Sequence, residues 1–277
     1  MLRYRDGTFS GRPDTVAGEE PLEIRIAGEP FSTTMRTPGA DIELVHGLLH
    51  AEGIITGRAD VQAARYCSGV GPDGGNTYNV LDVALADPAA LARVRPHRQV
   101  TTSACGVCGA ESIAAITRAG RYPPGSVVLA PETISALPAR LRDQQRTFRS
   151  TGGVHAAALA TADGQVEQVR EDVGRHNAMD KVIGAALLAD RLPLADRALV
   201  TSSRASFELV QKAVLAGAGM LVAVSAPSSL AVRLADEAGL TLIGFTSASG
   251  FNVYSGAWRV VGATDTDGRP AGTRADG

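Results

Sequence analysis

The stretch ALVTSSRASFELVQKAVLAGAGMLVAVS, residues 198–225, decides the fold. It opens on a short apolar run, Ala198 to Thr201, closed by small polar residues, the pattern of a strand buried on both faces. From Ala205 to Ala216 the apolar residues fall at helical intervals, and Gly217 marks the stop. A second apolar run, Met220 to Ser225, follows at once. The pattern repeats downstream, with a helix over Leu230 to Ala238 and a strand over Thr241 to Phe245, before a last strand at Phe251 to Tyr254. Upstream, a helix runs from about His176 to Asp190. Val154 to Thr161 and Gln165 to Arg170 read as a hairpin around Asp163-Gly164. Pro131 suits the first turn of a longer helix that carries Ile134, Leu137, Leu141 and Phe148. The expectation is an α/β domain whose mostly parallel sheet is covered by helices on both faces.

Ahead of this lies a smaller unit. Leu22 to Ile26 alternates with period two and reads as a strand, with a turn at Gly28-Glu29. Asp41 starts a helix whose apolar Ile42, Val45, Leu48 and Leu49 share a face, and Gly53 ends it. Thr77 to Ala86 alternates again. The division that follows is a loose leader over 1–20, an α+β domain over 21–100, a cysteine loop with a short helix over 101–124, the α/β domain over 125–260, and a disordered tail over 261–277. The short helix spans Glu111 to Ala119.

Composition narrows the function classes. With 27 Lys and Arg against 29 Asp and Glu, the net charge is -2, so no global field attracts nucleic acid or an anionic membrane. The N-terminus lacks the apolar core of a secretory signal, and no apolar run is long enough to span a bilayer. Three cysteines suit a reducing, cytoplasmic compartment better than a disulfide framework.

Two of those cysteines form Cys105-Gly106-Val107-Cys108. Such a pair can pass a sulfur, close a disulfide or supply half of a metal site. Its position just before a helix favours the thiolate, and the flanking glycines suit a thiol that moves between partners. A metal would need two more ligands, which His46 and His50, four apart on the predicted helix, could supply.

Three strand ends carry the remaining polar chemistry. Glu171-Asp172-Val173-Gly174-Arg175-His176-Asn177 sits where a strand meets a helix, the place where α/β sheets bind ligands. There Asp172 can cap the helix, and His176 can bond Asp180 one turn on. Thr201-Ser202-Ser203-Arg204-Ala205-Ser206 offers hydroxyls, amides and an arginine, the makings of an anion cradle. Phe245-Thr246-Ser247-Ala248-Ser249-Gly250 adds a third small polar turn. Together the three loops predict one crevice for a phosphorylated, nucleotide-containing ligand. His155, in Thr151-Gly-Gly-Val-His155-Ala-Ala, stands either as a bonded pocket residue or as a ligand contact. It is similar to the His-Ala-Glu of zinc nucleoside deaminases, but Ala157 replaces the glutamate and no Pro-Cys-x-x-Cys follows, which removes that chemistry.

Cys105-Gly-Val-Cys108-Gly, Thr151-Gly-Gly-Val-His155-Ala-Ala, Glu171-Asp-Val-Gly-Arg175-His-Asn, Ser203-Arg-Ala-Ser-Phe-Glu and Ala226-Pro-Ser-Ser resemble, in order, the formate dehydrogenase accessory sulfurtransferase family (FdhD). The resemblance runs from about Leu22 to Ser255. It implies a sulfur carrier: a cysteine desulfurase loads a persulfide on the CxxC loop, and the sulfur goes to the bis-molybdopterin guanine dinucleotide cofactor, with molybdenum or tungsten, of a formate dehydrogenase. It also implies a cytidine-deaminase-like three-layer fold, a homodimer, and no permanent metal of the chain's own. Cys105 matches the persulfide-bearing cysteine, with Cys108 as its partner. Phe245, Thr246, Ser247, Ala248, Ser249 and Gly250 match the cofactor-contact segment. This sequence lacks the basic residue that other members carry there, so Arg175 and Arg204 would have to meet the phosphates. His155, His176, Asn177 and Ser202 complete the expected cofactor site. A cofactor chaperone without sulfur transfer and a zinc hydrolase are the alternatives, and neither nucleic acid nor membrane is an expected partner.

Overall fold

The computed structural model describes residues 1–67, 77–90 and 122–263. Cys105, Cys108, the helix expected at Glu111 to Ala119, the boundary placed before Thr101 and the tail from 264 onward lie outside the described residues.

The α/β unit is built on a six-stranded sheet in the order β12-β11-β10-β9-β7-β8. Its strands are β7 (His155–Ala160), β8 (Val166–Asp172), β9 (Ala198–Thr201), β10 (Met220–Ala223), β11 (Thr241–Ser247) and β12 (Gly250–Ser255). Alternate residues of each strand face different cores. Leu159, Leu199, Leu221 and Leu242 pack against α4 (Arg175–Leu188), α5 (Phe207–Leu215) and α6 (Ser229–Glu237), through Met179, Val182, Leu209 and Leu234. Ala158, Val200, Val222 and Ile243 pack on the other face under α2 (Pro131–Gln144), through Ile134, Leu137 and Leu141. Both faces are therefore covered, and that is why these strands read as unbroken apolar runs. Each such buried leucine or isoleucine contributes about 1.5–3 kcal/mol relative to exposure.

The sheet is mixed, which corrects the mostly parallel expectation. Only β9-β10 and β10-β11 pair in parallel, while β7-β8, β7-β9 and β11-β12 are antiparallel. Connection length is the reason: β11 and β12 are joined through Ala248-Ser249 alone, too short for a crossover. The long helix expected through Phe148 breaks at Gln145, and α3 (Arg146–Thr151) starts anew.

The N-terminal unit has a four-stranded sheet, order β4-β3-β6-β5, made of β3 (Glu20–Ile26), β4 (Glu29–Arg36), β5 (Val61–Tyr66) and β6 (Val80–Leu85). Its core of Leu22, Ile24, Leu81 and Val83 is closed by α1 (Asp41–Ala51) and also takes in Leu187 of α4. The buried residues of α1 include Leu44, Val45, Gly47 and Leu49, whereas Ile42 is exposed. The helix packs on two sides, against its own sheet and against α4, so its buried surface is wider than one apolar stripe. A Cβ built on Gly47 would lie under 3.0 Å from the Asp180 backbone, and one on Gly184 equally close to the Glu43 backbone. Two glycines thus let α1 and α4 cross at backbone contact.

The first twenty residues, read as a loose leader, carry a hairpin of β1 (Leu2–Arg5) and β2 (Thr8–Gly11). Asp6 and Gly7 both take positive φ, at 51° and 79°, as a two-residue primed turn requires. Among the described residues no helix is long and apolar enough to cross a membrane.

Candidate functional site

Sheet register brings the predicted loops to one end. His155, the first residue of β7, pairs with Asp172, the last of β8, and Ala157 pairs with Thr201, the last of β9. Thr201 in turn pairs with Ala223 at the end of β10, and Val222 with Ile243 of β11. The residues after β9, β10 and β11, the start of β7 and the N-terminus of α4 therefore share one edge. Three strand spacings separate β7 from β11, so this edge extends roughly 14 Å from His155 to the Phe245 turn.

Much of its polar chemistry is spent on holding the loops. Ser202 Oγ accepts from Ala156 N at 2.9 Å, and Ser202 N donates to Ala156 O at 3.0 Å. The Ser202 O–H still has a hydrogen to donate. Thr201 Oγ1 and Ser203 Oγ bond each other at 3.0 Å. Ala205 N donates to Ala226 O at 3.1 Å, and Phe245 N to Ser225 O at 3.3 Å, which ties the three loops in sequence. Thr246 is buried and donates to Ala223 O at 2.9 Å, while Ser247 Oγ braces its own turn against Ser249 and Gly250. Of that segment, Phe245 projects: it is 52% exposed, with φ at 54° beside a break in the β11-β12 register.

The charged residues gather at the β7 and α4 side. Arg175 starts α4, and its buried Nε has no hydrogen-bond partner. Arg204 is exposed in the β9 loop. Half-buried His155 has its pKa held below 6.5, first by burial and then by the charges of Arg175 and His176. These three side chains thus lie close enough to influence one another, at the positive end of a helix.

Two expected contacts are corrected. Asp180 does not bond His176; it is buried and accepts from Lys212 Nζ at 2.7 Å. Burial pushes its pKa up, and Lys212 opposes that shift. His176 instead places Nε2 3.3 Å from Ser206 Oγ and 3.7 Å from Glu208 Oε2, both supplied by the α5 end. His176 is the main cause that draws the Glu208 carboxyl down to about 2, against burial. Asp172, in turn, is not the N-cap residue of α4, which is Gly174; it accepts from Gly174 N at 2.9 Å and from buried Lys181 at 2.7 Å.

Asn177 belongs to this second network. Its Nδ2 donates to Met35 O at 2.8 Å and to Asp172 Oδ1 at 3.1 Å, while Lys181 Nζ donates to Thr37 O at 2.8 Å. The cluster joins the two sheets, so the structure turns the Asn177 amide to the joint and leaves Arg175, His176 and His155 at the strand-end site. The sequence reading missed Ser206, Glu208, Lys181 and Lys212 as partners. Ser206 and Glu208 did stand in the quoted Ser203-Arg-Ala-Ser-Phe-Glu motif, and Glu208 is an acid in the first turn of α5.

His46 Nδ1 lies 2.7 Å from Ile42 O of its own helix. Among the described residues no cluster of three His, Cys, Asp or Glu side chains could hold a metal. One cavity, of about 510 Å³, is lined by Arg140 and Gly164 at the β7–β8 turn, and another, of about 460 Å³, by Pro38, Arg146, Arg170, Glu171 and Lys181, beside the Asp172 end of β8.

The sulfur carrier protein FdhD of Streptomyces coelicolor is 53% identical to this chain over 264 residues, 94% of each. The protein of the same name in Nocardia farcinica is 55% identical, over 90% of this chain and 89% of its own. A crystal structure provisionally assigned to a formate dehydrogenase accessory protein of Desulfotalea psychrophila superposes with a TM-score of 0.72. It covers 94% of this chain and 97% of its own at 22% identity, and so shares the fold. The sequence model of the FdhD/NarQ family matches residues 17–261, a span that holds both sheets and every residue of the strand-end cluster. This chain belongs to the FdhD/NarQ family.

Proposed function

We propose that the protein is a cytoplasmic sulfurtransferase that activates a formate dehydrogenase. A cysteine desulfurase presents a persulfide, and the Cys105 thiolate attacks its outer sulfur. The desulfurase thiolate leaves, and Cys105 then carries the sulfane sulfur. Attack by the Cys108 thiolate on the Cys105 sulfur releases hydrosulfide to the acceptor and leaves a disulfide, which a cellular thiol returns to the dithiol. The acceptor is the bis-molybdopterin guanine dinucleotide of the client, held as a substrate at the strand ends.

The strand-end cluster carries this reading. Arg175, His176 and the positive end of α4 suit phosphates at one side, and exposed Phe245 suits a purine at the other. The roughly 14 Å between them fits an extended dinucleotide better than a small anion. Arg204 and the free hydrogen of Ser202 lie between. The names of the relatives support the sulfur-carrying half.

Tyr122, the first described residue after the cysteines, lies beside Gly217 and Pro193, at the opposite end of the sheet. With the expected helix over Glu111 to Ala119, the fourteen residues from Cys108 to Tyr122 can span at most about 32 Å, while the length of β11 is about 23 Å. The chain is therefore long enough for the thiols to meet the cofactor in one protomer. A cytidine-deaminase-like layering and a homodimer are part of the same proposal.

Incubation with a cysteine desulfurase and cysteine should add the mass of one sulfur to the peptide carrying Cys105 and Cys108. Cys105→Ala should abolish that addition and the activation of formate dehydrogenase in cells. Full activation by Cys105→Ala would sink the proposal, and cofactor binding with no sulfur uptake would leave a chaperone.

A further inference from the structure

The β1-β2 hairpin lies outside the span 17–261 that the family model matches. Its register sorts the side chains by face. Tyr4 pairs with Phe9 and Leu2 with Gly11 on one side, while Arg3 pairs with Ser10 and Arg5 with Thr8 on the other. An isolated two-stranded hairpin is marginal in water. Here the primed turn and the Tyr4 and Phe9 rings, 5.0 Å apart, hold it together, so the aromatic face has a structural use. The arginine face has none. Among the described residues no acid pairs with Arg3, Arg5 or Arg12, and the hairpin sets these three against Asp6 alone, in a chain of net charge -2.

The tether decides what that face can reach. Ala17 lies against Gly153, its Cβ 3.3 Å from the place a Gly153 Cβ would take, and a Cβ on Gly18 would lie 3.6 Å from Pro38 Cδ. Gly153 is two residues ahead of His155. Thr37, beside Pro38, donates its N–H to Asp172, the partner of His155 across β7 and β8. Two contacts thus anchor the chain at the His155 end of the strand-end site. The five residues from Arg12 to Ala17 span at most about 18 Å, and Pro13 favours extended backbone at Arg12. Three more strand residues carry the reach to Arg5 by about 10 Å. The site itself runs roughly 14 Å from His155 to the Phe245 turn.

Charge gives the hairpin a reason to close only over an anion. Arg175 and Arg204 give the site the same sign as the hairpin, so the two repel, and a bound polyanion reverses that for both. Guanidinium groups only donate hydrogen bonds and phosphate oxygens accept them. The turn from Phe245 to Gly250 carries no basic side chain of its own.

We propose that Arg3 and Arg5 are further binding residues of the strand-end site, carried over it by the hairpin to donate to the phosphates of a diphosphate-bearing ligand. This rests on the reading of that site as a phosphate site.

The full chain is compared as wild type, as Arg3→Gln with Arg5→Gln, and as Tyr4→Ala with Phe9→Ala. The arginine variant removes the charge and keeps the hairpin; the aromatic variant keeps the charge and loosens the hairpin. Calorimetric titration with inorganic diphosphate should show about tenfold weaker binding for the arginine variant. The aromatic variant should also bind more weakly, because arginines on a loosened hairpin no longer converge. Bound diphosphate should slow tryptic cleavage after Arg3 in the wild type. Equal affinity in the arginine variant, or unchanged cleavage, would overturn the proposal and leave the strand-end reading intact. Full affinity in the aromatic variant would reduce the arginines to distant charges and overturn it too. Arg175→Gln, within the site, should lose binding as well; binding that survives it would put the anion on the hairpin alone and refute a shared site. A wild type that binds no diphosphate would remove the phosphate site, and the proposal with it.

Discussion

Substituting Gly184→Ala tests the joint on which the two sheets depend. In an isolated helix, alanine is about 1 kcal/mol better than glycine, so propensity alone predicts stabilisation. The crossing predicts the reverse. The new methyl would lie under 3.0 Å from Glu43 O, Glu43 C and Gly47 N, all backbone atoms of α1 that no rotamer change can move. Normal carbon contacts need about 3.5 Å, so the helices must part by on the order of 1 Å. That shift pulls on the Arg170–Glu43 pair, whose Nη2 to Oε1 distance is 2.8 Å, and on the 2.8 Å bond from Lys181 to Thr37 O. Overpacking typically costs 1–3 kcal/mol, and rigid backbone on both sides argues for the upper end. After the helix-propensity gain, a net loss of about 2 kcal/mol remains. For a chain of this size that lowers Tm by roughly 4–8 °C. Thermal and urea unfolding followed by circular dichroism measure it. Gly47→Ala should behave alike, and the double variant should lose less than the sum, because parted helices admit the second methyl easily. A Gly184→Ala protein with unchanged or raised Tm would refute the crossing.

Other outcomes follow from the same geometry. Asp172→Ala leaves buried Lys181 without its carboxylate and should cost about 3 kcal/mol, whereas Asp172→Ala with Lys181→Met should recover part of that in urea unfolding. His155 should titrate by NMR below 6.5, and Arg175→Met should raise its midpoint without restoring 6.5, because burial is the larger cause. The sign for stability follows: the folded chain binds this proton less readily than the unfolded one. The contribution of His155 is complete above 6.5 and is lost as pH falls through its folded value, so His155→Gln should flatten the stability profile there. Phe245→Ala should leave Tm nearly unchanged, since the ring is 52% exposed, yet weaken binding of guanosine diphosphate by roughly tenfold. Unaltered affinity would remove Phe245 from the site.

The sequence by itself determined the elements whose signals are local. The apolar runs Ala198 to Thr201 and Met220 to Ser225, the hairpin at Asp163-Gly164 and the helix from Pro131 are specified by neighbours within a few residues. The same holds for the gathering of polar residues at strand ends, since strand-to-helix turns place them there whatever the sheet order. Asp6-Gly7 was an equally local turn signal, and its hairpin was legible though read as a leader. Tertiary structure decided the rest. Mixed strand order, the crossing of α1 and α4 on Gly47 and Gly184, and the choice of partners depend on residues far apart in the chain. Asp180 takes Lys212 rather than His176, and His176 takes Ser206 and Glu208, because α5 lies against α4 in space. A spacing of four along one helix says that two side chains can meet. Whether they do is settled by what another element brings closer.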